Sequence, residues 1–198
     1  MPLIVVAFLM TASVLAAQAP ESAPKSQPRP TAAIRSPWPS AIALVRFGLF
    51  APSAEIFKTV YGSGPVFSGE FRLHAKDGLY FSLEAGQFKK TGELTLTRDP
   101  TTMTILFVDA MAVYHVLSGP IMPYVGAGVT ASRFKEKNII GEVGQWNLGF
   151  AACGGVTARL RSIALDARLK FSSVKVKPLE DAVNLGGLTL SVAVGYAF

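Results

Sequence analysis

The sequence predicts an all-β fold: an eight-stranded antiparallel up-and-down transmembrane β-barrel, preceded by a signal peptide and a proline-rich linker. Three observations predict it. From Ile42 onward, apolar side chains recur at every second position, the period of a strand with one face in an apolar medium. Half of the 198 residues are hydrophobic and only 16% are charged. Yet beyond the N-terminus there is no uncharged apolar run of the roughly 18 residues that a spanning helix needs. A closed barrel hides such a chain, because every backbone group pairs with a neighbouring strand and the outward side chains meet lipid. Finally, tight and long connections alternate, as turns and loops do on the two sides of a membrane barrel.

The elements follow in order. Leu3 to Leu15 are apolar or small and too few to span a bilayer, and Ala17-Gln18-Ala19 supplies the small-x-small pattern of a signal-peptidase site. Residues 1–19 are therefore expected to be a signal peptide, with cleavage after Ala16 or Ala17 as alternatives. No basic residue precedes the apolar run, Pro20 follows the cut, and no cysteine follows to anchor a lipoprotein. Residues 20–40 carry Pro20, Pro24, Pro28, Pro30, Pro37 and Pro39. Such a segment cannot form a ladder and is expected to be a disordered tether. The barrel then occupies residues 41–198.

The last strand shows the alternation best: Leu188, Leu190, Val192, Val194, Tyr196 and Phe198 interleave with Gly187, Thr189, Ser191, Ala193, Gly195 and Ala197. The preceding strand sets Ile163, Leu165, Ala167, Leu169 and Phe171 against Ala164, Asp166, Arg168, Lys170 and Ser172. Further upstream, Trp146, Leu148, Phe150, Ala152 and Val156 oppose Asn147, Gly149, Cys153, Gly155 and Thr157. Pro123 to Thr130, Leu106 to Tyr114 and Leu79 to Ala85 behave alike, as do Phe67 to Leu73 and Ile42 to Phe50. These make about eight strands of about ten residues, the smallest closed membrane barrel. Lys76-Asp77-Gly78, Leu117 to Pro120 and Arg161-Ser162 read as tight turns. Ala51 to Gly64, Lys89 to Thr101, Lys135 to Gly144 and Val174 to Gly186 read as long loops, and both barrel ends fall on the short-turn side.

The formal charge of +6 does not imply a nucleic-acid partner, because the basic residues are spread along the chain and form no concentrated face for counterion release. Cys153 is the single cysteine, so no intrachain disulfide is possible, and it reads as a small buried strand residue.

With these segments in place, residues 42 to 198 resemble the small outer-membrane β-barrels of the OmpA/OmpX type. Val192-Ala193-Val194-Gly195-Tyr196-Ala197-Phe198 resembles the terminal-aromatic signal read by the barrel assembly machinery. Pro123-Tyr124-Val125-Gly126-Ala127-Gly128-Val129 resembles a Pro-Tyr-x-Gly-x-Gly strand common in such barrels, and Tyr61-Gly62 with Gly64 and Gly69 resembles the re-entry after the first loop. The resemblance implies a monomer in the outer membrane of a Gram-negative-type bacterium, with both barrel ends in the periplasm. Its lipid partners would be outer-membrane lipid and lipopolysaccharide. It selects no activity, since the same fold serves adhesion, defence evasion, lipid enzymes, small pores and mechanical stabilisation.

The inward faces hold the groups that carry chemistry. If the turn closes symmetrically about Asp77, Glu70 and Glu84 face each other, and two confined carboxylates repel unless cations intervene. Arg46, Arg72, Arg168 and Lys170 point inward beside Asp109 and Asp166. The expected arrangement is a side-chain-filled, charged lumen, because eight strands leave little more than side-chain volume. Glycan acid–base chemistry by Glu70 and Glu84 needs a cleft open to substrate, not a mid-barrel position. A lipid A deacylase needs a serine beside a base, and His74 and His115, the only histidines, have no such serine. Two histidines and one cysteine give no metal-ligand spacing, and no cofactor is implied. Trp146, Tyr196 and Phe198 read as interfacial girdle residues; Tyr80 reads as either girdle or lumen cap.

The sequence thus favours a non-enzymatic structural or surface-interaction role through the loops. The alternatives are a small channel or conduit for small or apolar molecules, and a secreted soluble barrel that binds a lipid. The charged inner face argues against the last, since a ligand cavity is mostly apolar. Replacing Phe198 by Ala is expected to lower outer-membrane levels when assembly machinery is limiting, measured by membrane fractionation. Unchanged levels would contradict an assembly role.

Overall fold

The computed structural model describes residues 38–93, 100–138, 141–176 and 183–198. The predicted signal peptide and linker lie outside the described residues, apart from Trp38, Pro39 and Ser40. The strands are β1 (Ala41–Pro52), β2 (Gly64–Lys76), β3 (Leu79–Glu93), β4 (Pro100–His115), β5 (Ile121–Asn138), β6 (Gly141–Leu160), β7 (Ile163–Val176), β8 (Val183–Asn184) and β9 (Gly187–Ala197). Each long strand pairs antiparallel with its neighbours, and β9 pairs with both β7 and β1, which closes the predicted barrel of eight. The two-residue β8 is a short ribbon on β7 outside that ring. Ser40 and Phe198 complete the seam, Ser40 N donating to Phe198 O at 2.8 Å and Phe198 N to Ala41 O at 2.9 Å.

Alternation decides which way each side chain faces. Along β1, Leu44, Arg46 and Phe50 are buried while Val45, Phe47 and Leu49 are exposed. The other seven long strands keep the faces read from the sequence. The result is inverted relative to a water-soluble protein. Among the described residues, 31 large apolar side chains stand exposed on a barrel whose interior holds arginines. Monomers in water rarely expose apolar patches beyond a few hundred Å². Among the described residues no helix is long and apolar enough to cross a membrane.

The turns on one side are tight for a local reason. Asp77 and Gly78 both take left-handed backbone angles, φ 47° and 83°, the geometry for which Asp-Gly is favoured in a two-residue hairpin. A bulge between His74 and Lys76 absorbs one residue, and above it the register is the one expected, with Glu70 opposite Glu84. Arg161 and Ser162 make the second two-residue turn between Leu160 and Ile163, and Arg161 is also left-handed at φ 58°.

The other side differs from expectation. Two of the four segments read as long loops are largely continued ladder. Lys89 to Glu93 pairs with Pro100 to Thr104, and β5 and β6 pair up to Asn138 and Gly141, leaving only 139 and 140 between them. Ladder hydrogen bonds need no apolar face, so polar, Thr- and Lys-containing stretches can extend the strands. The first loop folds as α1 (Glu55–Val60), and the last returns through β8.

Close approach at the seam requires glycine. A Cβ at Gly195 would lie within 1.8 Å of the Ala43 carbonyl oxygen, so Ala43 and Gly195 must separate to admit one. Gly195→Val is expected to lower the folded, fast-migrating fraction on unheated detergent gels after refolding, at a cost of roughly 1–3 kcal/mol from overpacking. A refolding yield equal to that of the parent would contradict this.

Candidate functional site

The lumen is the candidate site, and it is built in three layers. The middle layer is ionic. Arg46 from β1 donates to Glu70 at 2.5 Å and to Asp166 at 2.8 Å. Arg72 of β2 donates Nε to Glu70 at 2.7 Å and lies 3.3 Å from Asp166. Arg168 of β7 reaches across to Glu84 on β3, both oxygens at 2.7 Å, and to Glu70 at 3.3 Å. Lys170 joins Glu84 at 3.1 Å to Asp109 of β4 at 2.6 Å.

All eight charged side chains singled out from the sequence are thus buried and linked in one chain of contacts. It runs from Asp109 through Lys170, Glu84, Arg168 and Glu70 to Arg46, Arg72 and Asp166. Four cations balance four carboxylates. Neutral donors supply the rest: Ser82 to Glu70 at 2.7 Å, Ser68 to Glu84 at 2.6 Å, Thr157 to Asp166 at 2.7 Å, and Tyr124 to Asp166 at 2.9 Å. The Tyr124 ring also lies 4.4 Å under the Arg72 guanidinium, a cation–π contact.

The facing pair Glu70 and Glu84 is the place where the ladder imposes repulsion. Arg168 relieves it by contacting both. Buried charges are tolerated only when paired and hydrogen-bonded; every charged group here has an opposite charge in contact, while Arg46 Nε and Arg168 Nε are left without a hydrogen-bond partner.

Apolar layers close both ends. On the short-turn side, Ile42, Tyr80, Val113, Met122 and Tyr124 pack together with Trp38 against them. Tyr80 donates its hydroxyl to Pro39 O at 2.9 Å. The Trp38 ring lies 6.3 Å from both His74 and His115. Tyr80 is therefore a lumen residue, and the last residues of the linker are not tether but plug. On the loop side, Phe50, Tyr61, Val66, Phe88, Met103 and Ile105 are among a second buried cluster, with Phe57 and Val60 of α1 packed on it. Between this cluster and the Lys170–Asp109 pair lies a cavity of about 40 Å³, room for about three waters.

No family model and no curated protein matches the sequence. Solved structures do. Neisserial surface protein A superposes with a TM-score of 0.62 at 19% identity, covering 80% of this chain and 96% of that one. Pseudomonas aeruginosa OprG gives 0.63 at 15%, covering 81% and 97%. Yersinia pestis Ail, solved with the heparin analogue sucrose octasulfate, gives 0.56 at 14%, covering 81% and 99%. The fold is that of the small outer-membrane β-barrels of the OmpA/OmpX type.

Within this OmpA/OmpX-type barrel, Tyr196 and Phe198 stand outward on the short-turn rim with rings 4.8 Å apart, and Trp146 stands outward near the loop side. Cys153 is buried on the inner face. His115 is buried in the aromatic plug, its ring among those of Trp38, Tyr80 and Tyr124. Among the described residues no group of three or more His, Cys, Asp or Glu side chains is placed to hold a metal ion.

Sequence reasoning missed Trp38, α1 and the neutral donors. An aromatic between two prolines directly before the first strand is the signal that identifies the plug. Serines and threonines on inward positions were visible but carried no indication of which carboxylate they serve.

Arg168→Met removes the cation shared by Glu70 and Glu84. It is expected to destabilise the folded barrel by about 3–5 kcal/mol, read from the denaturant midpoint in detergent micelles. Adding Glu84→Gln should recover part of that loss. Strictly additive effects would mean that the Arg168–Glu84 contact contributes no coupling.

Proposed function

We propose that this chain is an integral outer-membrane protein with a closed lumen, acting without catalysis as a structural and surface-interaction element of a Gram-negative-type envelope. Its neighbours in that setting are outer-membrane lipid and lipopolysaccharide, and the barrel assembly machinery inserts it. One observation carries the reading: an ionic layer occupies the lumen between two buried apolar clusters, inside a belt of exposed apolar side chains. A filled barrel cannot pass solute while its charged side chains hold one another. What it can offer a partner is its outside: α1, the extended hairpins and the membrane edge.

Two alternatives lose support on the same observation. A conduit for apolar molecules would find apolar surface at the loop-side mouth, but would meet eight charged groups below it. A soluble lipid binder would keep its apolar surface inside, whereas here it is outside.

The test is direct. Refolded protein should migrate faster unheated than boiled, and should give no conductance steps above a porin-free control in planar bilayers. Reproducible steps that Arg168→Met enlarges would replace this reading with a channel. Solubility of the folded protein without detergent would overturn the membrane assignment itself.

A further inference from the structure

Unpartnered polar atoms gather at the short-turn mouth. Both ring nitrogens of His115 and Nε2 of His74 are buried and make no hydrogen bond among the described residues, although buried polar groups are ordinarily paired. The Met122 backbone approaches the His115 ring without closing a hydrogen bond. What surrounds the two imidazoles is aromatic. Tyr80, on the strand between them, has its ring 5.0 Å from His74 and 4.9 Å from His115, and Tyr124 lies 5.1 Å from His115. Trp38 lies over both, stacked on His74 and tilted against His115. It also rests on the tight turn, where a Cβ added at Gly78 would come within 3.2 Å of its ring.

The titratable and charged groups facing this pocket come from every wall packed on it. β2 supplies His74, Arg72 and Glu70, β3 Tyr80, β5 Tyr124, β6 Arg159 and β7 Asp166. β1 and β9 add only the apolar Ile42 and Ala197. Neither carboxylate is free to take a new cation, because Glu70 and Asp166 each hold both Arg46 and Arg72. Arg72, over the Tyr124 ring, is a like charge. A neutral imidazole fits such a pocket. An imidazolium does not: both of its nitrogens donate, and a buried charge persists only when paired and hydrogen-bonded. Water is the acceptor that remains, and Trp38 stands between it and His115.

We propose that Trp38 and Pro39 form a proton-operated latch, closed on the barrel mouth while His115 and His74 are neutral and released when they are protonated. Ser40 is the hinge. Its N–H donates to Phe198 O and its carbonyl accepts from His74 N, so it stays in the seam while the Tyr80 hydroxyl lets go of Pro39 O. The ionic layer beneath is not part of the movement. Release therefore frees the chain that enters the barrel at Trp38 and leaves the lumen closed. The latch goes beyond the surface role proposed above, adding a response to acid on the opposite side of the barrel.

The experiment uses the full chain refolded in detergent micelles, with Trp146→Phe leaving Trp38 as the single tryptophan. Emission and acrylamide quenching are followed from about pH 8 to about pH 4, which brackets the ordinary histidine range. Acidification should shift the emission to the red and raise quenching, reversibly, with the fast-migrating folded band retained. Through the transition the released-to-closed ratio should change by up to about tenfold per pH unit for each proton taken up. His74→Phe/His115→Phe keeps rings in the pocket and removes both titrations, so Trp38 should stay protected across the range. A second reading needs no variant in the pocket: with isotopically labelled histidine, the two imidazole signals should titrate at the midpoint of the fluorescence change. Trp38 exposure that does not vary with pH, or histidine signals that titrate apart from it, would overturn the latch. A red shift that survives the double substitution would assign the response to the ionic layer instead, and one that comes with loss of the folded band would make it unfolding; either result also overturns it.

Discussion

Arg168 lies between two carboxylates that the β2–β3 register forces to face each other, and the rest of the interior is arranged around that contact. The Asp77-Gly78 turn and its bulge fix Glu70 opposite Glu84. Unrelieved, that pair would repel in a medium where charge is expensive. The relief comes from the far wall: β7 delivers Arg168 and Lys170 to the same pair, and only a closed barrel brings β7 and β3 across one lumen. Pairing and closure are therefore coupled. A one-residue slip of any strand would turn its inner charges outward, where an arginine facing lipid costs about 2–4 kcal/mol at mid-depth. The network contributes little to raw stability, since buried ion pairs roughly offset their own desolvation. Its larger effect is on register.

The two apolar layers shield the ionic layer from bulk water and so strengthen it. Trp38 and Tyr80 close one end, Phe50, Phe88 and Leu185 the other. Excluding water lowers the local dielectric, which strengthens satisfied pairs and penalises unsatisfied ones. The small cavity beside Lys170 is the one concession in this packing that the described cavities make inside the lumen. Lys170 is steadied there by two carboxylates and by the Phe107 ring 4.3 Å beneath its ammonium.

The faces of the long strands were legible in the sequence because a membrane barrel writes its environment at period two: lipid on one side, lumen on the other. The inward set of charges followed from the same alternation. Which charge meets which did not follow. Arg46 pairs with Asp166 and Arg168 with Glu84 across 120 and 84 residues, and such pairs depend on how far the barrel shears as it closes. Lys89 to Thr91 and Lys135 to Asn138 looked like loop because polar residues occupy both faces, yet a ladder beyond the belt needs only backbone partners. Trp38 was hidden by its prolines, which forbid a strand but not a plug.

Those extended ladders change what the loop side can do. β5 and β6 hold 18 and 20 residues, while a tilted strand needs about 9–11 to cross the apolar core. Much of the hairpin therefore stands beyond the belt as paired backbone. A partner that docks on paired strands meets groups already fixed in place, so little conformational entropy is lost on binding. A long open loop would have to be ordered first.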